Sequence, residues 1–264
     1  MIGSIVEGAT ILLHYDERRQ WLVRVEKDKK FHTHKGIVDL SRLIGKPFGS
    51  KVESSLNQAF YALRPTTFDH IMHSARRTQI MYPKDIGLII LKLSLSSGQQ
   101  VLEIGTGSGA MTLAAATAVK TSGHVHTYEA REEFVEIASK NLRRGAVSEY
   151  VTIHQANALD GIAGENFDAA ILDVGDPWPI LPIVHHALAG GAPLVSFSPT
   201  VNQIERTALT LAQIGFMNIQ TFESFIREIR VDAGKTRPAT MMVGHTGYMT
   251  FAQKICVENK QESQ

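Results

Sequence analysis

The segment Val101-Leu102-Glu103-Ile104-Gly105-Thr106-Gly107-Ser108-Gly109 runs from β-forming residues into a glycine-rich turn. Glycine takes positive φ and lets a ligand lie against the main chain with no Cβ in the way. The spacing is G-x-G-x-G, whereas a dinucleotide fingerprint, G-x-G-x-x-G, seats a pyrophosphate on the following helix N-terminus. Glu103 stands two residues before the first glycine, where a carboxylate repels a phosphate and suits a cation. S-adenosyl-L-methionine has no phosphate and carries both an ammonium and a sulfonium. The pattern therefore favours a methyl donor over NAD, with Glu103, Gly105 and Gly107 expected beside it.

An acid about twenty residues beyond such a turn can accept hydrogen bonds from both ribose hydroxyls, and Glu129 in Tyr128-Glu129-Ala130-Arg131 holds that place. Both cofactor classes use this device, and the plainer alternative is a helix N-cap acid. Ala156-Asn157-Ala158 falls where an adenine ring would sit; Asn157 either bonds the adenine amine or makes a turn. Ile171-Leu172-Asp173 ends another strand, and Val174-Gly175-Asp176-Pro177-Trp178 follows as an irregular turn. Ligands of open α/β sheets bind outside the strands' carboxyl ends, which puts Asp173 and Trp178 beside the cofactor's reactive end. Asp173 could accept from an exocyclic amine while Trp178 offers a flat face to a base; the alternatives are a helix cap and plain core.

Those side chains need a scaffold that brings strand ends together. Pro83–Leu95 reads as a helix with proline in its first turn, Val101–Ile104 as a buried strand, and about Ser108–Lys120 as a small-residue helix. His124–Glu129, Tyr150–His154, Asp168–Leu172 and Pro193–Phe197 read as strands, and Arg131–Arg144 as a helix. The tail from Met217 to Lys254 alternates strand-like runs with turns. Strands alternating with helices predict a mostly parallel sheet, that is, an α/β fold. Before it, Thr10–Tyr15, Gln20–Glu26 and Lys30–His34 are short and turn-separated, which predicts a small β-rich domain over 1–65 and a catalytic domain over 66–264.

The chain has 264 residues, 44% hydrophobic and 20% charged, with one cysteine, Cys256. That excludes a disulfide framework and a cysteine-rich zinc site. No apolar run approaches the roughly 18 residues of a membrane span, and no signal-peptide pattern opens the sequence, so a cytosolic protein is expected. With 27 Lys+Arg against 26 Asp+Glu, the net charge is +1. Any polyanion must then be held by local clusters. Arg76-Arg77 adjoin the expected active site, whereas Arg18-Arg19, Lys27, Lys29, Lys30, Arg143-Arg144, Lys235 and Arg237 lie elsewhere. Such groups either contact phosphates or stay solvated at helix ends.

Together, Arg76-Arg77-Thr78-Gln79-Ile80-Met81-Tyr82-Pro83-Lys84-Asp85-Ile86, the Val101–Gly109 loop, Tyr128–Arg131 and Leu172-Asp173 with Pro177-Trp178 resemble the tRNA adenine-N1 methyltransferases. That family modifies the T-loop adenine at position 58, and its archaeal members also modify the neighbouring position. Gly36, Gly45-Lys46-Pro47-Phe48-Gly49 and Val243-Gly244-His245-Thr246-Gly247-Tyr248 extend the likeness over nearly the whole chain. The resemblance implies a class I methyltransferase (Rossmann-like) core with a small N-terminal β-domain, assembled as a homotetramer. It implies donor contacts at Ser108, Gly109, Ala110, Met111, Glu129 and the Asn157-Ala158 motif, and catalysis by Asp173. Arg76, Arg77, Tyr82 and Trp178 are the expected tRNA contacts, Tyr82 as a stacking platform or else a hydrophobic staple. Competing readings are a class I enzyme for another RNA or a small molecule, a non-catalytic tRNA-binding subunit and, more distantly, an NAD-dependent oxidoreductase.

Overall fold

The computed structural model describes residues 3–77 and 79–256; Thr78 of the family-like segment and residues 257–264 lie outside them. Contacts divide the chain into two compact units, Met1–Ser74 and Ala75–Gln264. In the first, β1 (Thr10–Asp16), β2 (Arg19–Arg24), β5 (Ser50–Glu53) and β6 (Ala59–Leu63) form an antiparallel sheet in the order β2-β1-β6-β5. The strands β3 (Lys30–Thr33) and β4 (Gly36–Asp39) make a separate hairpin. Residues two apart share a strand face, so Ile11 and Leu13 point together into a core with Val23, Val52, Phe60 and Ala62. Helix α1 (Thr67–Met72) begins with a capping box between Thr66 and Asp69 and groups with this unit, so the contact boundary falls after residue 74 where the sequence reading put it after 65.

The second unit is built on β7 (Gln100–Ile104), β8 (His124–Tyr128), β9 (Val151–His154), β10 (Ala169–Leu172), β11 (Pro193–Ser198), β12 (Phe216–Phe222) and β15 (Tyr248–Lys254). Their order is β12-β15-β11-β10-β7-β8-β9. The five strands from β11 to β9 are parallel; β15 runs antiparallel between β11 and β12. The last connection, from β12 to β15, holds only a hairpin of β13 (Ile229–Arg230) and β14 (Arg237–Pro238), without a crossover helix, and β15 returns reversed.

The helices are α2 (Pro83–Lys92), α3 (Ala110–Val119), α4 (Glu132–Arg144), α5 (Leu181–Ala187) and α6 (Val201–Gln213). Helix α3 is almost wholly buried, which its alanine-rich sequence allows without crowding. Helix α4 carries Glu132 and Glu133 in its first turn and Arg143 and Arg144 in its last, matching the helix dipole at both ends. Arg143-Arg144 thus have a structural reason to be there. The carboxyl ends of β7, β8 and β10 deliver the glycine turn, Glu129 and Asp173 respectively.

Candidate active site

The switch point of the sheet lies between β7 and β10, where the direction in which strands are added reverses, and the cleft opens there. Gly105 follows β7 with φ +95°, and a Cβ on it would stand 2.2 Å from the carbonyl oxygen of Asp173. Only glycine lets these two strand ends approach so closely. The Asp173 N–H in turn donates to the Ile104 carbonyl at 2.8 Å. The backbone of Asp173 is thereby seated on the glycine turn. Gln203, in the first turn of α6, donates from Nε2 to the Gly175 carbonyl at 2.6 Å and holds the loop that follows.

Glu129 is buried, and its carboxylate closes the turn from the other side. Its Oε2 accepts from the Gly107 N–H at 3.0 Å; Oε1 accepts from the Arg131 N–H at 3.0 Å and from Arg131 Nε at 3.1 Å. A carboxylate has about four acceptor sites and three are taken here, so one stays open for a ribose hydroxyl, and the solvent-exposed Arg131 side chain can yield a second. Glu129 and Asp173 both line a cavity of about 410 Å³ together with Gly105, Arg131, Asn157 and Ala158. A second cavity of about 380 Å³ is lined by Gln79, Ile80, Met81, Tyr82, Phe197, Pro199, Val243, His245 and Thr246, again with Asp173. A small third space touches Gly107, Ser108, Ala110, Met111 and, once more, Asp173. Asp173 is the residue common to all three.

Burial among protein atoms pushes the Asp173 carboxyl up to about 6. The side chain is nonetheless exposed to the cleft, and water on that open face limits the shift. A cation bound there favours the ionised form. The cavity of about 410 Å³, the ribose-competent Glu129 and the Cβ-free turn fit a nucleoside with a cationic tail, such as S-adenosylmethionine.

Some expected contacts sit elsewhere. Glu103 is 1% exposed and does not line these cavities; its Oε2 accepts from Thr112 Oγ1 at 2.6 Å. It lies on the α3 side of β7 and braces the turn from beneath. Burial raises its carboxyl to about 7, against the hydrogen bond from Thr112 that favours the charged form. Gly109 is the N-cap of α3 and packs on Ala138 of α4, outside the cavity linings. Asn157 accepts the Leu159 N–H at 3.0 Å and so makes a turn, while its residue still borders the first cavity. Trp178 lies under Arg206, whose guanidinium carbon is 4.1 Å from the ring centroid, and does not line the second cavity. Arg77 pairs with Glu133 at 2.7 Å, and Arg76 is exposed beside it; neither lines the cavities. Tyr82, the N-cap residue of α2, does line the second cavity.

The far wall of that cavity escaped residue-by-residue reading. Val243, His245 and Thr246 belong to a motif used for the family likeness without any assigned role. The buried Lys84–Asp85 pair on α2 anchors this wall. Lys84 Nζ donates to Thr246 Oγ1 at 2.6 Å, to the Ser224 carbonyl at 2.8 Å and to Asp85 Oδ1 at 2.8 Å. Thr246 and Ser224 hydroxyls donate back to Asp85 at 2.7 Å each. Every strong group in this network is thus partnered.

A parallel sheet with one reversed penultimate strand, a glycine turn after its first strand and a buried acid after its second define a class I S-adenosylmethionine-dependent methyltransferase. The family model for the tRNA methyltransferase complex GCD14 subunit matches residues 59–236, and a TrmI-like N-terminal model matches 3–52. The chain belongs to the tRNA adenine-N1 methyltransferase family. It is 33% identical to the tRNA (adenine(57)-N(1)/adenine(58)-N(1))-methyltransferase TrmI of Methanocaldococcus jannaschii, over 90% of this chain and 93% of the relative. It is 31% identical to a tRNA (adenine(58)-N(1))-methyltransferase TrmI of Thermus thermophilus, over 92% and 96%. Among solved structures, a SAM-dependent O-methyltransferase from Thermotoga maritima superposes with a TM-score of 0.91 at 38% identity, covering 97% of each chain. The tRNA (m1A58) methyltransferase TrmI from Aquifex aeolicus gives 0.84 at 34%, covering 97% of this chain and all of that one. No helix among the described residues is long and apolar enough to cross a membrane.

Proposed function

We propose that this chain transfers a methyl group from S-adenosylmethionine to N1 of adenine 58 in the tRNA T-loop, with adenine 57 as a second acceptor. The carrying observation is that Asp173 lines both the first cavity, which this reading gives to the donor, and the second, which it gives to the acceptor base. Bound S-adenosylmethionine supplies an electrophilic methyl. Glu129 takes the ribose hydroxyls, and Ser108, Ala110 and Met111 border the small space next to the glycine turn. Neutral adenine N1 already has an in-plane lone pair, so no strong base is required. Positive charge develops on the base as N1 is alkylated, and ionised Asp173, accepting from the exocyclic amine, is worth more to that state than to the ground state. N1 lies on the Watson–Crick edge, so the nucleotide must leave the folded loop to reach the cavity. Tyr82 offers a ring for it to stack on.

A homotetramer fits the apolar residues exposed on and around the β13–β14 hairpin, among them Phe225, Ile226, Ile229, Val231 and Met241. Assembly would also pool the local basic groups of a chain whose own net charge is +1. A tRNA substrate puts the enzyme in the cytoplasm. The test is incubation with labelled donor and unmodified total tRNA, followed by mapping of the modified nucleotide. Label at adenine N1 in the T-loop is expected; label outside the RNA fraction, on a small molecule, would refute the proposal.

A further inference from the structure

The chemistry above leaves the far wall of the acceptor cavity without a role. His245 in that wall is bonded at both ring nitrogens: Nδ1 is 2.7 Å from Glu223 Oε1, and Nε2 is 3.0 Å from the Pro199 carbonyl oxygen. Both partners are acceptors only, and a neutral imidazole has a single N–H to give. Only the imidazolium satisfies both. The ring also packs on Tyr248, with centroids 4.9 Å apart. His245 therefore joins the strand exit after β12, the loop before α6 and its own segment. Pro199 and His245 both line the cavity, so this double bond fixes the spacing between two of its sides.

We infer that His245 is a positioning residue for the acceptor nucleotide, an imidazolium clasp that keeps the acceptor cavity in shape without touching the reacting atoms. The inference rests on the tRNA-methylation reading of that cavity. The charged and titratable groups around the ring are Glu223, the mutually paired Lys84 and Asp85 on α2, Tyr248 on β15, and Asp173 and Tyr82 on the same cavity. The hydrogen bond to Glu223 dominates and, with the Pro199 carbonyl, raises the imidazole above its ordinary 6.5, while Lys84 opposes. A histidine raised in this way keeps its clasp complete below the ordinary value. One of its two bonds is lost as pH rises through the raised value. The wall then loosens, and the acceptor binds less well while the donor side, held by Glu129, is unaffected.

Steady-state methylation of tRNA at saturating donor, from about pH 6 to about pH 9, compares wild type with His245→Gln and His245→Ala. The wild-type KM for tRNA is expected to rise about two- to fivefold on the alkaline side, the size of one ion pair open to solvent, with the donor Kd unchanged. His245→Gln cannot titrate and should give a KM flat with pH; His245→Ala should raise KM about two- to fivefold throughout. An alkaline rise that persists in His245→Gln overturns the clasp, as does a donor Kd that weakens in step with KM in His245→Ala. Imidazole titration by NMR needs no tRNA: His245 is expected above its ordinary value, and Glu223→Gln is expected to lower it. A titration at or below the ordinary value overturns the clasp even if tRNA is methylated. A wild-type enzyme that leaves tRNA unlabelled overturns the acceptor role instead, which the titration does not touch.

Discussion

Replacing Gly105 with alanine tests whether the glycine turn exists to seat Asp173. The added Cβ would lie 2.2 Å from the Asp173 carbonyl oxygen, 2.9 Å from its carbonyl carbon and 3.2 Å from Val174 Cγ1. These are mostly backbone atoms, and the Asp173 N–H is tied to Ile104, so no side-chain rotation relieves the overlap. Asp173 must retreat by about 1 Å to restore ordinary contact. The left-handed backbone adds about 1–2 kcal/mol for a residue with a Cβ, and overpacking about 1–3 kcal/mol. Gly105→Ala is therefore expected to lose about 2–5 kcal/mol of stability in denaturant unfolding. A misplacement of that size also costs about 10²-fold in single-turnover methyl transfer at saturating donor and tRNA. Gly107→Ala is the control: its φ of +52° carries the same backbone cost in stability, but its Cβ meets no atom within 4 Å, so Asp173 stays put and the single-turnover rate at saturating donor is kept. A Gly105→Ala enzyme with wild-type single-turnover rate would refute the reasoning.

Two further outcomes follow from buried charge. The folded-state carboxyl of Glu103 sits at about 7 against an ordinary 4.5, so the native state holds a proton that the unfolded state releases first. Its contribution is complete below the ordinary value and is lost as pH rises through about 7, by about 3 kcal/mol; Glu103→Gln should remove most of that slope in denaturant unfolding at a series of pH values, and an unchanged slope would contradict the burial argument. Lys84→Ala strands the fully buried Asp85 and should cost about 3–5 kcal/mol in the same assay, whereas a loss below about 1 kcal/mol would show that the anchor is dispensable.

What the sequence disclosed was local, and what it hid was assembled from afar. The strand–glycine–helix run, Glu129 and Asp173 are each legible because one stretch of chain supplies both the geometry and the chemical group. The alternation of strands and helices likewise revealed the parallel part of the sheet. The position of β15 was not legible, since a run of β-formers does not say between which strands it will insert. Glu103 was misplaced because strand alternation turns its side chain toward α3, a face that a motif reading ignores. Trp178 and Arg77 found partners of their own, Arg206 and Glu133, from elements distant in sequence. The acceptor wall required Lys84 to meet Thr246 across the whole second unit. The one signal for it was His245-Thr246-Gly247, where Gly247 lies so near the Phe197 ring that a Cβ would stand 2.3 Å from it.

In the proposed reaction Asp173 acts after both ligands are bound, and Asp173→Ala measures that most directly. Donor titration by calorimetry and single-turnover transfer to unmodified tRNA should be run on one preparation. The expected result is a donor Kd close to wild type with a transfer rate lower by about 10²–10³-fold, the range for removing one preorganised electrostatic partner. An unchanged transfer rate, or a loss carried entirely by weaker donor binding, would contradict it.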